Sequence, residues 1–418
     1  VGDIKRIYNM KFILINPPHP YLVSPDLRPP LGLLYFGSVL EQSNIDVEII
    51  NLSKNTVENT IIPKADVYGI TTTSLDINTI NLLSKKIKNL YYNSIIIVGG
   101  AGTFSKEYID FSVIDSIVIG EIEHKIEELL FDINNKKIKQ IYNFGICPNI
   151  DKYPFPARHL YDITLPINVL SSRGCAFNCS FCMSPLLYNH RVRFRNNDLV
   201  INELKYLIDK YNTKYFIFED DMLTINKKRF IDLCEKISKL NITWRGMARV
   251  KPLDEEMVVA MKLSGCKEIA LGIESFDDNV LEILNKGTTV EDNLNAIKLF
   301  SIHNIKLRIL LMVRTPGQTK QTLKLNKKYI LGLPENSIVA CTNFTPIPGS
   351  DIWNNPNKYK ISLFNKNINE YNYGFFNSDG ILELIPIFSL NNRTLKEFHS
   401  ETEDFHKWLL DKGIINKG

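Results

Sequence analysis

Three of the seven cysteines in this 418-residue chain fall within eight residues, Cys175-Ala-Phe-Asn-Cys-Ser-Phe-Cys182. Cys175, Cys179 and Cys182 stand at C-x3-C-x2-C spacing, and thiolates are soft ligands suited to zinc or to iron–sulfur clusters. A structural zinc site wants four closed ligands. The nearest fourth candidate, His190, lies in the run HRVRFR, which reads as solvated surface. Three thiolates without a fourth suit a cubane cluster with one iron left open to a substrate or cofactor. The other four cysteines read as structural: Cys147 between domains, Cys234 with apolar neighbours at helical spacing, and Cys266 and Cys341 on strands. An odd count with a metal-like cluster fits a reducing, cytoplasmic compartment better than a disulfide framework.

The thiols follow the first of six β-rich runs: NVLSS (168–172), KYFIFED (214–220), ITWRGMARV (242–250), KEIALGI (267–273), KLRILLM (306–312) and NSIVACTNF (336–344). Helix-like stretches separate them. Six β/α units over 167–345 predict a partial (β/α)6 barrel with its chemistry at the carboxyl ends of the strands. Upstream, residues 10–131 alternate KFILI (11–15), DVEII (46–50), DVYGIT (66–71), SIIIVGG (94–100) and DSIVIG (115–120) with amphipathic stretches. Continuous apolar strands of this kind predict a five-stranded, doubly wound, Rossmann-like α/β domain. Residues 132–166, with Pro148, Pro154, Pro156 and Pro166, read as a linker holding one short strand at KIKQIY. Residues 346–418 read as a small C-terminal extension ending in an amphipathic helix.

A dinucleotide site is excluded. NPPHPY after the first strand cannot make the glycine-rich turn, and Gly99-Gly100-Ala-Gly102 lacks its third glycine. A formal charge of +4 with no dense basic block argues against nucleic acid. No apolar run reaches the ~18–20 residues of a membrane span, and the first residues do not read as a secretory signal.

C-x3-C-x-aromatic-C after the first strand of such a barrel resembles the radical S-adenosylmethionine (SAM) superfamily, and Phe181-Cys182 matches its aromatic before the last cysteine. FEDDMLTINKKR (218–229), WRGMARVKPLDEEMVVAMKLSGCKEIALGIES (244–275), TPGQTKQT (315–322, with Gln318 where the family has Glu) and TPIPGSDIW (345–353) extend the resemblance. It implies a 4Fe–4S cluster on the three cysteines and SAM on the open iron. It further implies Phe181 near the adenine, Glu274 in polar contact with SAM, Arg249 at its carboxylate and Asp220 at the acidic turn. Each also has a structural reading: Glu274 preceding a helix capped by Ser275, Arg249 paired with a rim acid, Asp220 and Asp221 capping the next helix.

Residues 10–130 resemble the cobalamin-binding domain that precedes many radical SAM barrels. The carrying pieces are INPPHPY, RPPLGLLYFGSVLEQ, DVYGITTTS, VGGAG and VIGEIE, the last with Ile122 where the family has a second Gly. The resemblance implies cobalamin contacts at Thr72, Thr73, Ser74, Gly99, Gly100, Gly120 and Glu121. The D-x-H-x-x-G motif that supplies a histidine to cobalt elsewhere is absent, leaving His19 and His124 as unmotivated candidates.

Together these imply a cobalamin-dependent radical SAM enzyme that methylates an unactivated carbon of a small-molecule or peptide substrate, served by an electron donor such as flavodoxin or ferredoxin. Two alternatives stay open: oxidation, cyclisation or rearrangement with the same cofactors, and a non-catalytic sensor. Methylthiolation of tRNA is disfavoured, because residues 1–146 carry no second cysteine set.

Overall fold

The near-continuous apolar run Phe12–Ile15 lies in β1 (Lys11–Asn16), a strand buried on both faces. Such a strand belongs in the middle of a parallel sheet covered by helices. The computed structural model describes residues 9–19, 28–368, 388–391 and 393–414. It divides into two units, residues 1–164 and 165–418.

In the first unit, β1 is followed by α1 (Leu31–Gln42), β2 (Asp46–Asn51), β3 (Val67–Thr71), α2 (Ile77–Leu90), β4 (Ile95–Gly99), β5 (Ser116–Gly120), α3 (Ile126–Asn134) and β6 (Ile141–Gly145). The sheet is parallel, in the order β2-β1-β3-β4-β5-β6. Because the order reverses between β1 and β3, right-handed crossovers put helices on both faces and open a crevice at their carboxyl ends. The expected doubly wound sheet is therefore present, with one correction. It has six strands, because Ile141–Gly145 of the presumed linker pairs with β5. Pairing is favoured there because Tyr142 and Phe144 alternate inward with exposed neighbours.

The second unit begins with β7 (Ile167–Val169), β8 (Ser172–Arg173), α4 (Ser184–Tyr188), β9 (Arg193–Phe194), α5 (Asn197–Tyr211), β10 (Tyr215–Phe218), α6 (Lys227–Ser238) and β11 (Thr243–Arg249). Next come α7 (Glu255–Leu263), β12 (Cys266–Glu274), α8 (Asp278–Ile283), α9 (Val290–Ile302), β13 (Lys306–Val313), α10 (Lys320–Leu331) and β14 (Ile338–Asn343). The chain then forms α11 (Asp351–Asn354), β15 (Ile361–Ser362), β16 (Ser389–Leu390) and α12 (Leu395–Asp411).

The main sheet runs β7-β10-β11-β12-β13-β14, all parallel and in chain order. Steady progression in one direction keeps all the crossovers on one face, as in a barrel wall. The β13 pattern shows this: Leu307, Ile309, Leu311 and Val313 are buried, whereas Arg308, Leu310 and Met312 on the opposite face are half-buried. β7 and β14 do not pair with each other among the described residues, so the wall stays open.

Capping boxes at Thr289/Asp292, Thr319/Thr322 and Thr394/Glu397 start α9, α10 and α12. The C-terminal segment is more than an appendage. Tyr359, Ile361, Phe388, Leu390 and Phe398 share a core with Val280, Leu284 and Phe344, and Phe181 packs against it. Among the described residues no helix is long and apolar enough to cross a membrane.

Candidate active site

The cysteine loop leaves β7 and is closed at its base by β8 pairing antiparallel with β9. Gly174 enters it at φ +98, where a Cβ would meet the Arg191 carbonyl oxygen at 2.1 Å, so the turn admits only glycine. Two adjacent carboxylates beyond β10 hold the loop. Asp220, wholly buried, accepts from Ser171 N at 3.0 Å, Ser171 Oγ at 2.7 Å and Ser172 Oγ at 2.5 Å. Asp221 accepts from Gly174 N at 3.3 Å and Ser184 Oγ at 2.8 Å, bracketing the three cysteines. Farther along, Ser180 N donates to Leu284 O at 3.0 Å, Asn285 Nδ2 to Asn178 O at 2.6 Å and Ile352 N to Ser180 O at 3.1 Å. The loop's shape is thus imposed by α8, β10 and α11.

Cys179 is buried, and Cys175 and Cys182 are half-buried. Burial, reinforced by the charges of Cys182, Asp221 and Cys179, pushes the Cys175 thiol up to about 11. Burial, followed by Cys179 and Asp221, raises Cys182 likewise. Among the described residues, no three His, Cys, Asp or Glu side chains converge as ligands of one ion, and His190 is exposed. Three thiols on one short loop suit a multi-iron cluster, in which each thiolate binds its own iron.

Around the loop stand residues from the next strand ends. Arg249, last in β11 and buried, places Nη1 3.1 Å from Cys179 Sγ and lays its guanidinium 3.9 Å from the centre of the Phe177 ring. Glu274, last in β12, follows a register shift at Gly272 and takes φ +64, a conformation uncommon for a side-chain-bearing residue. It accepts from Lys286 Nζ at 2.7 Å, and that ammonium lies 5.9 Å from the Phe181 ring centre. A Cβ on Gly287 would come within 3.4 Å of Arg249 Nη2, which joins the two clusters. Arg249 Nε, Ser275 Oγ, Thr288 Oγ1 and Gln318 Nε2 are buried without a protein partner. Such orphaned polar atoms along one edge suit a polar ligand.

The structure therefore brings Phe181, Arg249 and Glu274 to the cysteine loop. Asp220 is near it in a different capacity, since both carboxylate oxygens are occupied in holding the loop's entry. Burial also raises its pKa. Phe177 and Lys286 escaped the sequence reading of the site, and Asp221, read there as a helix cap, instead holds the thiol loop. The run Asn285-Lys-Gly287 just after α8 carried no motif, and only the packing of α8 under the loop makes Lys286 a neighbour.

At the carboxyl edge of the first unit, Asp76, wholly buried, holds the Thr72–Ser74 turn by accepting from Thr73 N at 2.9 Å and Thr73 Oγ1 at 2.8 Å. Its other oxygen lies 2.7 Å from His19 Nδ1, while His19 Nε2 lies 3.2 Å from Asn16 Oδ1. Asn16, His19 and Asp76 thus tie β1 to β3 at the switch point; Pro20 and Tyr21 of INPPHPY lie outside the described residues. Thr72 Oγ1 donates to Thr73 O at 2.9 Å, and Ser105 Oγ donates to Ser74 Oγ at 3.3 Å.

A Cβ on Gly100 would meet Thr72 O at 2.5 Å, and one on Gly120 would meet Gly145 O at 2.2 Å. These two glycines are required by the protein's own backbone. Gly99 differs, with no atom nearer than 4.0 Å to its absent Cβ, so it offers a bare surface for a close approach. Glu121 Oε2 accepts from Cys147 N at 2.6 Å.

A parallel β/α wall whose first loop carries three thiols beside buried, partnerless polar atoms has the donor types that a strand-end cofactor site needs. The profile of the radical SAM superfamily matches residues 169–328. An uncharacterized methyltransferase of Pyrococcus horikoshii is 30% identical over 391 residues, covering 82% of this chain and 82% of that protein. The anaerobic magnesium-protoporphyrin IX monomethyl ester cyclase of Rubrivivax gelatinosus is 31% identical over 187 residues, 44% of this chain and 33% of that protein. In fold, the chain is similar to the radical S-adenosylmethionine methyltransferase TsrM from Kitasatospora setae, solved with cobalamin and a [4Fe-4S] cluster bound. There the TM-score is 0.64 at 16% identity, covering 81% of this chain and 74% of that one. The chain belongs to the radical SAM superfamily.

Proposed function

We propose that this enzyme is a methyltransferase that places a methyl group on an unactivated carbon of a small molecule. In this reading Cys175, Cys179 and Cys182 hold a 4Fe–4S cluster, and Phe181, Glu274 and Lys286 line the SAM site beside it. Residues 10–131 of the first unit bind cobalamin over the edge formed by Thr72, Thr73, Ser74, Gly99, Gly100, Gly120 and Glu121. When bound, the cluster with SAM supplies a 5′-deoxyadenosyl radical and cobalamin supplies the methyl group; the hard chemistry is the cofactors' own. The protein's share is placement. Asp220 and Asp221 fix the thiol loop, Glu274 and Lys286 form a buried polar pair beside Phe181, and Asp76 sets the turn on which the hydroxyl residues sit.

The observation that carries this reading is the three-thiol loop with Arg249, Glu274 and Lys286 gathered around it, in a chain similar to a methyltransferase over 82% of its length. The relative that is a cyclase favours a second reading, in which the same cofactors cyclise or oxidise a substrate without methyl transfer.

Methyl-labelled SAM separates the two. Anaerobically reconstituted protein is incubated with dithionite, labelled SAM and a small-molecule cell extract. Methyl transfer gives a product heavier by one labelled methyl, with S-adenosylhomocysteine and 5′-deoxyadenosine in about equal amounts, because SAM serves two roles. Protein stripped of cobalamin still forms 5′-deoxyadenosine and gives no methylated product. If 5′-deoxyadenosine accumulates with substrate consumed but no S-adenosylhomocysteine, the cyclisation or oxidation reading replaces methyl transfer. Cys175→Ala, Cys179→Ala and Cys182→Ala should each remove most of the iron.

A further inference from the structure

Arg249 is expected, by resemblance, at a carboxylate of SAM, yet its observed contacts point to the cluster. The side chain is 6% exposed. Its Nη1 is directed at Cys179 Sγ from 3.1 Å, and the guanidinium rests 3.9 Å from the centre of the Phe177 ring within the same loop. No carboxylate pairs with it among the described residues. A buried cation without a counter-charge is costly. A neutral thiol offers little compensation, whereas a thiolate bound to iron offers a fixed negative charge. Phe177 holds the guanidinium against the loop, so the donor is oriented before any cluster arrives.

We propose that Arg249 tunes the cluster: its guanidinium donates a charge-assisted hydrogen bond to the Cys179 thiolate and holds the reduction potential up. This rests on the reading of the cysteine loop as a 4Fe–4S site. Reduction adds one negative charge to the cluster and its sulfurs, and a fixed positive donor beside one sulfur favours the reduced form. Hydrogen bonds to cluster sulfurs are a recognised determinant of potential, and charge-assisted ones are roughly twice as strong as neutral ones. Arg249 is thus a positioning residue that acts through Cys179, while Nε remains available to a second acceptor.

The test is a mediated redox titration of reconstituted protein without SAM or substrate, followed by the electron paramagnetic resonance of the reduced cluster. Arg249→Gln should keep its iron yet shift the reduced-to-oxidised equilibrium about tenfold against reduction, a midpoint lower by about 59 mV for one electron. Arg249→Lys, which keeps the charge and loses the planar fork, should fall between. Arg249→Gln with full iron and an unchanged midpoint overturns the proposal. If Arg249→Gln loses its iron, wild-type protein labelled with 15N-arginine decides. A nitrogen hyperfine coupling to the reduced cluster supports the hydrogen bond, and its absence refutes it. Wild-type protein that binds no four-iron cluster overturns the functional reading as well, and iron analysis tells that failure apart from this one.

Discussion

Replacing Lys286 with methionine tests whether the pair beside the cysteine loop is held as the geometry implies. Lys286 and Glu274 meet at 2.7 Å with side chains 7% and 10% exposed. At an effective dielectric of about 20, two unit charges at that distance attract by about 6 kcal/mol. Desolvating both groups costs several kcal/mol per ion, so the intact pair contributes little net stability. Removing one partner is another matter, because the remaining buried charge keeps its desolvation cost and loses its compensation. Lys286→Met should therefore destabilise the second unit by about 3–5 kcal/mol. Trp244, Trp353 and Trp408 are the chain's three tryptophans and all belong to that unit, so tryptophan fluorescence in a urea titration follows it selectively. The midpoint should fall with the slope unchanged. Lys286→Met/Glu274→Gln should recover most of the loss, since neither charge is then left alone. A Lys286→Met loss below about 1 kcal/mol, or a double variant no better than the single, would refute the argument.

Three further outcomes follow. Asp220→Ala, which removes three hydrogen bonds from Ser171 and Ser172, should lower bound iron per chain by more than half after reconstitution; full iron would show that the loop holds itself. Gly120→Ala forces φ +97 on a side-chain-bearing residue and sets a Cβ 2.2 Å from Gly145 O. It should cost the first unit at least about 1–3 kcal/mol, read as lost hydrogen-exchange protection in β5 and β6. His406 is pushed down from 6.5 to about 3 by burial and then by Arg314 and His399. Below about pH 6.5 the unfolded chain therefore takes a proton that the folded chain refuses until about pH 3, so stability falls as pH falls through that window. His406→Phe should flatten that acid limb, worth at most roughly 4–5 kcal/mol, as followed by urea midpoints from pH 7 to 4.

The strands were legible because each is a short β-rich run bounded by turn residues, and both sheets follow from strand–helix alternation. β6 was misjudged because Ile141–Gly145 leaves every second residue exposed, follows a polar lysine-rich stretch and sits close to prolines. Only the edge beside β5, which one polar strand face can occupy, makes it part of the sheet. The thiols were legible from their spacing directly after a β-rich run, and Arg249 and Glu274 through the resemblance of residues 244–275 to the radical SAM superfamily. Lys286 was not, since its place depends on α8 carrying the Asn285–Gly287 turn beneath the loop. Gly100 and Gly120 are implied by resemblance as cobalamin contacts, and each is also needed by backbone that passes close behind it. A strand-end glycine in a sequence does not distinguish those two demands.

Parallel pairing explains why so much of the second unit's chemistry lies at one edge. Parallel strands put every carboxyl end on the same rim, so Arg249, Glu274 and Gln318, each at or beyond the end of a successive strand, are set out along it. The thiol loop is then shaped by that rim: Asp220 and Asp221 fix its entry, the turn after α8 fixes its middle, and α11 caps Ser180. The C-terminal segment completes the enclosure on the side of Phe181, because Phe388, Leu390 and Phe398 share their core with α8. Shortening that segment should therefore disturb the thiol loop as well as the surface it covers. Cluster content and SAM cleavage should respond together to cavity-forming substitutions such as Phe398→Ala, even though Phe398 lies more than 200 residues from Cys182 in sequence.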